Sequence, residues 1–219
     1  MRPRAAGLVH ERQLHAAGLR AVAGVDEVGR GCLAGPVVAG AVILDRDRPV
    51  AGLRDSKMLG APERERLARK IADRAVAFAL GVVDPEEIDR TDILRATLEA
   101  MRRAVMALRV RPDFVLVDAL MIPAIGVPQR GLIHGDRISA SIAAASIVAK
   151  FYRDEMMLAF HGLYPAYGFE RHKGYGTRAH LEALRRFGPT PWHRSTFRGV
   201  REEPSADLPL SAPQALPVN

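Results

Sequence analysis

One stretch near the N-terminus constrains the fold more than any other. An apolar run at 21–25 has the pattern of a β-strand, Asp26 and Glu27 follow it, and Gly29-Arg30-Gly31 comes directly after. Adjacent carboxylates that both face inward repel each other and need a compensating charge, most often a divalent cation. Glycines allow a ligand to approach the backbone closely, and an arginine side chain forks onto phosphate. The stretch therefore predicts a metal site beside a phosphate-bearing substrate.

Composition narrows the class of protein. The 219 residues suit one domain that can bury a sizeable core. The formal net charge of +7 favours a polyanionic partner, with nucleic acid the first candidate. Cys32 is the only cysteine, which excludes an intrachain disulfide and a cysteine-based zinc site. Because no apolar stretch has the length of a membrane span and the N-terminus lacks the apolar core of a signal peptide, we expect a cytoplasmic protein without a membrane anchor.

Helix and strand patterns alternate along the first half of the chain. A second strand is expected over 37–44, and its glycine-rich connection to the first predicts an antiparallel pair. Apolar spacing predicts helices over 62–78 and 92–108, and short apolar runs predict strands over 80–83 and 114–117. This alternation favours an α/β sheet over a helical bundle.

The second half is predicted to be mainly helical. A short strand is expected at 132–133, and an alanine-rich helix over 139–161 has small residues nearly all round, so it can lie very close to a sheet. The segment 163–176 reads as a loop. A last helix is expected over 177–187, with Thr177 as its N-cap.

Two further carboxylates stand at comparable positions. Asp118 ends the apolar run at 114–117, and Asp136 follows a glycine in a turn. Hard oxygen ligands from several segments suit magnesium or manganese, and two such ions can clamp an in-line phosphoryl displacement. Each residue alone also has an ordinary explanation, because Asp118 can begin a loop and Asp136 can cap the following helix.

Several segments then match one enzyme family in the same order along the chain. Together they cover roughly residues 20 to 200, and they are Gly24 to Gly31 with Leu33 to Val38, Asp55-Ser56-Lys57, Val117-Asp118, Gly135-Asp136, Ala143 to Lys150, Tyr167-Gly168-Phe169 and His172 to Thr177. This set resembles bacterial ribonuclease HII, of the ribonuclease H-like family. Several motifs in a fixed order are far more specific than any one of them.

The resemblance implies a fold and an activity. The fold is an α/β ribonuclease H-like fold, a central mixed β-sheet flanked by helices, over 21–162, with a small helical C-terminal extension over 163–203. Residues 1–20 are expected to form an N-terminal helix or arm, and the composition of 204–219 predicts a disordered tail. The implied enzyme is a monomeric endoribonuclease that cuts RNA paired with DNA and single ribonucleotides embedded in duplex DNA. It uses Mg²⁺ or Mn²⁺, with two ions when substrate is bound, and leaves a 5′-phosphate and a 3′-hydroxyl.

The resemblance also implies roles for single residues. The metal ligands are Asp26, Glu27 and Asp118, with Asp136 as the fourth acidic residue of the site. The loop Gly29-Arg30-Gly31 reads the ribose 2′-hydroxyl, which is the group that distinguishes RNA from DNA. The remaining substrate contacts are Tyr175 on the sugar, Lys57 near the scissile phosphate, and Ser146 and Lys150 on backbone phosphates.

Some of these residues have ordinary alternatives. The glycine loop can be a plain turn with a solvated arginine, and Tyr175 can be a buried loop anchor. Lys57 can be a solvated loop cation, and the stem of Lys150 can cover apolar surface. This chain departs from the family at Cys32, where proline is usual, and at Ala119, where glycine is usual. Neither change removes a chemical group that the mechanism uses.

Rival functions and one further partner stay open. The rivals are another ribonuclease H-like two-metal nuclease, such as a resolvase or integrase, and a hybrid-binding module that does not cleave. Segment 214–218, Gln-Ala-Leu-Pro-Val, faintly resembles a sliding-clamp peptide.

Overall fold

A five-stranded mixed β-sheet forms the centre of the protein, whose computed structural model describes residues 5–201. The strands are β1 (Val22–Val28), β2 (Val37–Ile43), β3 (Ala77–Val83), β4 (Phe114–Asp118) and β5 (Gln129–Leu132). Their order across the sheet is β3-β2-β1-β4-β5. β1 is antiparallel to β2 and parallel to β4, so the predicted antiparallel pair and the mixed α/β sheet are confirmed.

Helices cover both faces of this sheet. They are α1 (Val9–Ala16), α2 (Ala61–Arg74), α3 (Pro85–Arg90), α4 (Ile93–Met106), α5 (Gly135–Ile138), α6 (Ala140–Leu163), α7 (Phe169–His172) and α8 (Arg178–Phe187). α4 packs on one face, where its alanines and Met101 join the side chains of β1 and β2 in the larger apolar cluster. α6 and α2 pack on the other face and share a second cluster with Val42.

The contact between α6 and the sheet is unusually close because both surfaces are made of small residues. A Cβ atom added to Gly40 in β2 would lie 2.6 Å from the carbonyl oxygen of Ala145, and one added to Gly24 in β1 would overlap the backbone at Ser141. The facing alanines of α6 are fully buried. The expectation of a helix lying close on the sheet is therefore correct, and the approach is one of backbone against backbone.

The predicted helix over 62–78 is too long. α2 ends at Arg74, Ala75 is already extended, and Phe78 lies in β3, where it pairs with Val42. Apolar spacing continues across the join as if the helix went on, but the free edge of β2 binds the backbone from Ala77 onward. The position of that edge is a tertiary constraint that spacing does not carry.

Other boundaries shift for related reasons. Asp26 and Glu27 lie inside β1 rather than after it, because pairing with β2 runs to Val28 although pairing with β4 stops at Val25. The short strand expected at 132–133 is β5, which ends at Leu132.

Several short helices were not expected from the sequence. These are α3, α5 and α7, of which α7 and a 3₁₀ turn at Pro165–Tyr167 lie in the segment read as a loop. Elements of one or two turns are too short for helical periodicity to appear. The last helix follows its prediction, since the Thr177 hydroxyl accepts a hydrogen bond from the backbone N–H of His180.

The N-terminal segment contains a helix, as expected, and Glu11 attaches it to the core. The Glu11 carboxylate accepts hydrogen bonds from the Ser139 hydroxyl at 2.6 Å and from the Ser141 backbone N–H at 2.9 Å. These groups begin α6, where a negative charge is favourable. The tail predicted over 204–219 lies outside the described residues.

The close contact of α6 with the sheet predicts opposite effects for two substitutions. Gly40→Ala should lower the free energy of unfolding by about 1–3 kcal/mol or more, because its methyl group meets a backbone carbonyl. Gly162 lies in α6 with open space around it, so Gly162→Ala should raise the free energy of unfolding by about 0.5–1 kcal/mol. Urea unfolding of both variants measures the difference. Equal midpoints for Gly40→Ala and the wild type would contradict the packing described here.

Candidate active site

One cleft brings together every residue that the sequence singled out as a candidate site residue. It has a volume of about 250 Å³. Its lining residues are Asp26, Glu27, Val28, Gly29, Arg30, Gly31, Ser56, Lys57, Asp118, Asp136, Ser146, Lys150 and Tyr175. A larger cavity of about 650 Å³ beside α1 contains none of the predicted residues. The smaller cleft is therefore the candidate active site.

The sheet and α5 position the acidic residues. Asp26 and Glu27 come from β1, beyond the last residue that pairs with β4, and Asp118 is the last residue of β4 itself. The Asp118 Oδ1 atom accepts a 2.7 Å hydrogen bond from the backbone N–H of Gly135, which joins β4 to α5. Asp136 follows in the first turn of α5.

These carboxylates destabilise one another's charged forms. Asp26 is only 6% exposed, and burial, with the charges of Glu27 and Asp118, raises its pKa well above the usual range. Burial also raises the pKa of Glu27, although the cation of Arg30 opposes the change. The pKa of Asp136 is raised by burial and then by the charges of Asp55 and Asp118. A cluster of carboxylates with raised pKa values is stabilised by a bound cation.

The donor set fits a hard divalent cation. All the candidate ligands are carboxylate oxygens, which Mg²⁺ and Mn²⁺ prefer. Within residues 5–201, no group of three or more His, Cys, Asp or Glu side chains is close enough to enclose an ion. Mg²⁺ usually keeps several waters and binds through one or two carboxylates together with substrate phosphates. The arrangement suits an ion whose coordination the substrate completes.

The glycine loop has one side blocked and one side open. Gly29 has φ +96°, and a Cβ atom there would overlap the side chain of Arg153. A Cβ atom at Gly31 would meet nothing within 4 Å. Arg30 makes a long ion pair of 3.4 Å with Glu27 and is partly exposed. The loop is thus more than a plain turn, because its backbone lines the cleft with free space beside Gly31.

The basic and hydroxyl residues of the cleft are held by neighbours outside the predicted set. Lys150 donates to Asp154 at 2.5 Å, and Asp154 also accepts from Arg64 at 3.1 Å. The hydroxyls of Ser146 and Ser56 are 2.9 Å apart. These bonds connect α6 to the Asp55-Ser56-Lys57 segment and fix the Lys150 ammonium rather than leaving it solvated.

Tyr175 lines the cleft with 41% of its surface exposed, which does not fit a buried loop anchor. Its backbone forms an isolated antiparallel bridge with Cys32, which is fully buried. The Cys32 N–H donates to the Gly29 carbonyl at 3.4 Å, a bond that the proline usual at this position cannot make. The departure at Cys32 therefore adds a contact within the glycine loop.

The second departure has a backbone consequence. Ala119 has φ +54°, in the left-handed region, where a Cβ atom costs about 1–2 kcal/mol. A glycine at this position would adopt the conformation without that cost. The Ala119 N–H still donates to Leu132 at 3.0 Å, so pairing next to Asp118 is retained.

Two neutral histidines, His180 and His193, form a hydrogen-bonded chain that ends at the backbone of Tyr175. The Thr190 N–H donates to His193 Nδ1 at 2.9 Å, so His193 carries its proton on Nε2 and donates to His180 Nε2, also at 2.9 Å. His180 then donates from Nδ1 to the carbonyl of Tyr175 at 2.9 Å. Burial lowers the pKa of each of these two imidazoles to about 4.

Sequence reasoning missed several residues that support the cleft. They are Asp55, Asp154, His180, His193 and two fully buried arginines, Arg153 and Arg194. A single buried polar residue has no periodic signal, because its burial depends on segments far away in sequence. The only signal available was their place inside or beside the motifs already noted, as with Asp55 in Asp55-Ser56-Lys57.

The mixed sheet, the covering helices and the acidic cleft at the end of β4 define a ribonuclease H-like nuclease. The sequence profile of Ribonuclease HII matches residues 23–200. A Ribonuclease HII of Desulfitobacterium hafniense is 52% identical over 90% of this chain and 75% of its own length. One of Nitrosococcus oceani is 58% identical over 82% of this chain and 90% of its own. The chain belongs to the ribonuclease HII family, and it is a metal-dependent endoribonuclease.

Solved structures agree with the fold. The ribonuclease H2 of Pyrococcus horikoshii superposes with a TM-score of 0.71 at 27% identity, covering 82% of this chain and 94% of its own. Bst-RNase HIII in complex with Mn²⁺ has a TM-score of 0.66 at 20% identity, covering 85% of this chain and 70% of its own, and shares the fold. None of the helices within residues 5–201 has the length and apolar character needed to cross a membrane.

The two glycines of the loop predict different outcomes. Gly31→Ala should leave thermal unfolding nearly unchanged, because the methyl group enters open space, but should lower cleavage at least tenfold where substrate fills that space. Gly29→Ala should lower stability itself, because of its positive φ and the Arg153 side chain. Melting curves and cleavage rates of the two variants check this. Full activity of Gly31→Ala would mean that substrate does not approach the loop there.

The histidine chain predicts a pH dependence of stability. Since the folded pKa values are near 4 and the unfolded value is about 6.5, the unfolded chain binds more protons between these limits, and stability falls as pH drops through this window. The raised pKa values of the cleft carboxylates act in the opposite direction. His180→Asn should therefore show a weaker loss of stability than the wild type between pH 7 and 5, in calorimetry.

A substitution that changes no ionisable group serves as the control. Gly162→Ala, on α6, should keep the pH slope of the wild type. If stability depended on pH in the same way in His180→Asn and in the wild type, His180 would not be a neutral member of this chain.

Proposed function

We propose that this enzyme hydrolyses the RNA strand of RNA–DNA hybrids and also cuts duplex DNA at single embedded ribonucleotides. The products are a 5′-phosphate and a 3′-hydroxyl. The observation that carries the proposal is that the acidic residues, the glycine loop and Tyr175 line a single cleft. A group able to recognise ribose and a group able to hold metal ions then contact the same nucleotide. The net charge of +7 favours the polyanionic substrate.

Asp26, Glu27, Asp118 and Asp136 are the proposed ligands of Mg²⁺ or Mn²⁺, with two ions when substrate is bound. Bound ions would neutralise charge on the attacking and leaving oxygens. The raised pKa values of Asp26, Glu27 and Asp136 support this assignment, because a bound cation offsets the burial and the neighbouring negative charges that raise them. Asp118 is held in one orientation by the N–H of Gly135.

The remaining residues orient the substrate. The Gly29-Arg30-Gly31 loop offers backbone donors to the 2′-hydroxyl, and the open space beside Gly31 leaves room for the sugar. Tyr175 places a partly exposed ring on the neighbouring sugar. Lys57, Ser146 and Lys150 contact the backbone phosphates. Lys150 is already fixed by Asp154, so little side-chain entropy is lost when phosphate binds.

The rival readings have less support. A hybrid-binding module without cleavage has no use for a buried Asp26 that faces the charges of Glu27 and Asp118, because this arrangement costs stability. Another two-metal nuclease of this fold has no need for a backbone loop and a tyrosine beside the acidic residues.

Action as a monomer and binding of a sliding clamp stay proposals. The clamp-like segment 214–218 lies beyond the residues that the structure describes, and a related structure is described as the complex of PCNA with RNase HII from Archaeoglobus fulgidus.

A cleavage assay with matched duplexes tests the proposal. In Mg²⁺ or Mn²⁺, the protein should cut a DNA duplex that contains one ribonucleotide and leave the all-DNA duplex intact. Asp118→Asn should lower the rate by more than about a hundredfold with a nearly unchanged melting temperature, because the amide oxygen still accepts from Gly135. Asp73→Asn, at an exposed position on α2, is the control and should keep full activity.

Each alternative has its own result. Equal cutting of both duplexes would contradict ribonucleotide recognition, and binding without cutting would favour the inert module. Retained activity in Asp118→Asn would show that Asp118 is not a metal ligand.

A further inference from the structure

Arg194 is a fully buried arginine that holds the glycine loop from behind. Its guanidinium donates to the Gly29 carbonyl at 2.7 Å and to the Arg30 carbonyl at 2.9 Å. Two more bonds, of 3.0 and 2.8 Å, go to the carbonyl of Gly35, in the turn between this loop and β2. Arg194 itself does not line the cleft, whereas Gly29, Arg30 and Gly31 do.

Burying a guanidinium in this way is costly. A buried charge is usually paired with an opposite charge, but these four bonds go to neutral backbone carbonyls. Burial lowers the pKa of Arg194 to about 10, so the side chain stays charged at neutral pH. A positive charge thus remains directly behind the loop, shielded from water.

The bonds determine where the loop's N–H groups point. Among the described residues all peptide bonds are trans, so the C=O of one residue and the N–H of the next point in opposite directions. Since the carbonyls of Gly29 and Arg30 point at the buried Arg194, the N–H groups of Arg30 and Gly31 point the other way, toward the cleft. Gly31 has open space beside it on that side.

The charge also strengthens these donors. A cation bonded to a carbonyl polarises the peptide unit, and in a low-dielectric site this makes the N–H at its other end a better donor. Two successive N–H groups that face one point form a concave site for an anionic or electronegative oxygen. The Arg194 side chain thereby acts on the substrate without touching it.

We propose that Arg194 is a positioning residue for ribose recognition. It turns the N–H groups of Arg30 and Gly31 toward the cleft, where they donate to the ribose 2′-oxygen and the adjoining phosphate. This inference rests on the proposed function, because it assumes that the loop reads the 2′-hydroxyl.

Arg153 is a matched comparison for Arg194. It is equally buried and also donates to carbonyls, those of Pro36 at 2.9 Å, Ala34 at 3.1 Å and Lys173 at 2.9 Å. The Arg153 side chain packs against Gly29, but none of these carbonyls belongs to Gly29 or Arg30, so Arg153 does not orient their peptide units. A loss of stability is therefore expected from either arginine, but a loss of ribose selectivity is expected only from Arg194.

The test measures selectivity in binding, which does not depend on turnover. In Mg²⁺ and the non-cleaving Asp118→Asn background, Kd is measured for two duplexes that differ in one ribonucleotide. Adding Arg194→Lys should reduce the ratio of the two Kd values roughly tenfold, because the compact ammonium lacks the planar fork whose separate nitrogens reach the carbonyls of Gly29, Arg30 and Gly35. Adding Arg153→Lys should weaken both affinities alike and keep the ratio. Thermal melting verifies that each protein is folded.

Each outcome bears on a different claim. An unchanged ratio in folded Arg194→Lys protein would overturn the inference while the cleavage assay still supports the proposed function. An equal fall of the ratio in Arg153→Lys would mean a general structural effect and would also overturn it. A background protein without ribonucleotide preference would instead contradict the proposed function.

A measurement on the Asp118→Asn protein with both arginines intact covers the case in which Arg194→Lys does not fold. In ¹H–¹⁵N spectra, the ribonucleotide duplex should shift the amide signals of Arg30 and Gly31 more than the all-DNA duplex does. Equal shifts with the two duplexes would show that these N–H groups do not read the 2′-hydroxyl, and the inference would fail.

Discussion

The close contact of α6 with the sheet is the constraint on which the rest of the structure depends. Glycines in β1 and β2 and alanines in α6 let the two backbones touch, which larger side chains would prevent. Because that distance is set by backbone atoms, α6 cannot shift without losing its packing. Ser146 and Lys150 on α6 are therefore held at a fixed position against Asp26 on β1, within one cleft.

A second constraint couples the C-terminal segment to the glycine loop. Arg194 follows Gly29 by 165 positions, yet it bonds the carbonyls of Gly29 and Arg30 directly. Arg153 bonds the carbonyls of Ala34 and Pro36 before β2 and that of Lys173, and the histidine chain supports the backbone of Tyr175. The C-terminal segment thus holds the glycine loop in place, and both the loop and Tyr175 depend on buried polar groups that are hydrogen-bonded.

The cleft combines this rigid support with electrostatic strain. Burial and then the charges of neighbouring carboxylates raise the pKa of Asp26 and of Asp136, so the folded protein carries a local cost that a cation and substrate are suited to relieve. Ala119 adds backbone strain beside Asp118. Cost at a functional site that is offset by good packing elsewhere is a common feature of enzymes. In this protein, the packing of α6 and α4 on the sheet offsets the cost at the cleft.

Local patterns in the sequence determined the order of the main elements and the α/β class. The resemblance to one enzyme family, which rests on motifs of adjacent residues, supplied most of the candidate residues that line the cleft. The local patterns placed the end of α2 wrongly at Phe78 and did not indicate α3, α5 and α7, since sheet edges and single turns leave no periodic signal. Only the tertiary structure decided that Arg153 and Arg194 are buried and that Arg194 bonds the carbonyls of Gly29 and Arg30. The physical reason is that burial and backbone orientation are set by contacts between segments far apart in the chain.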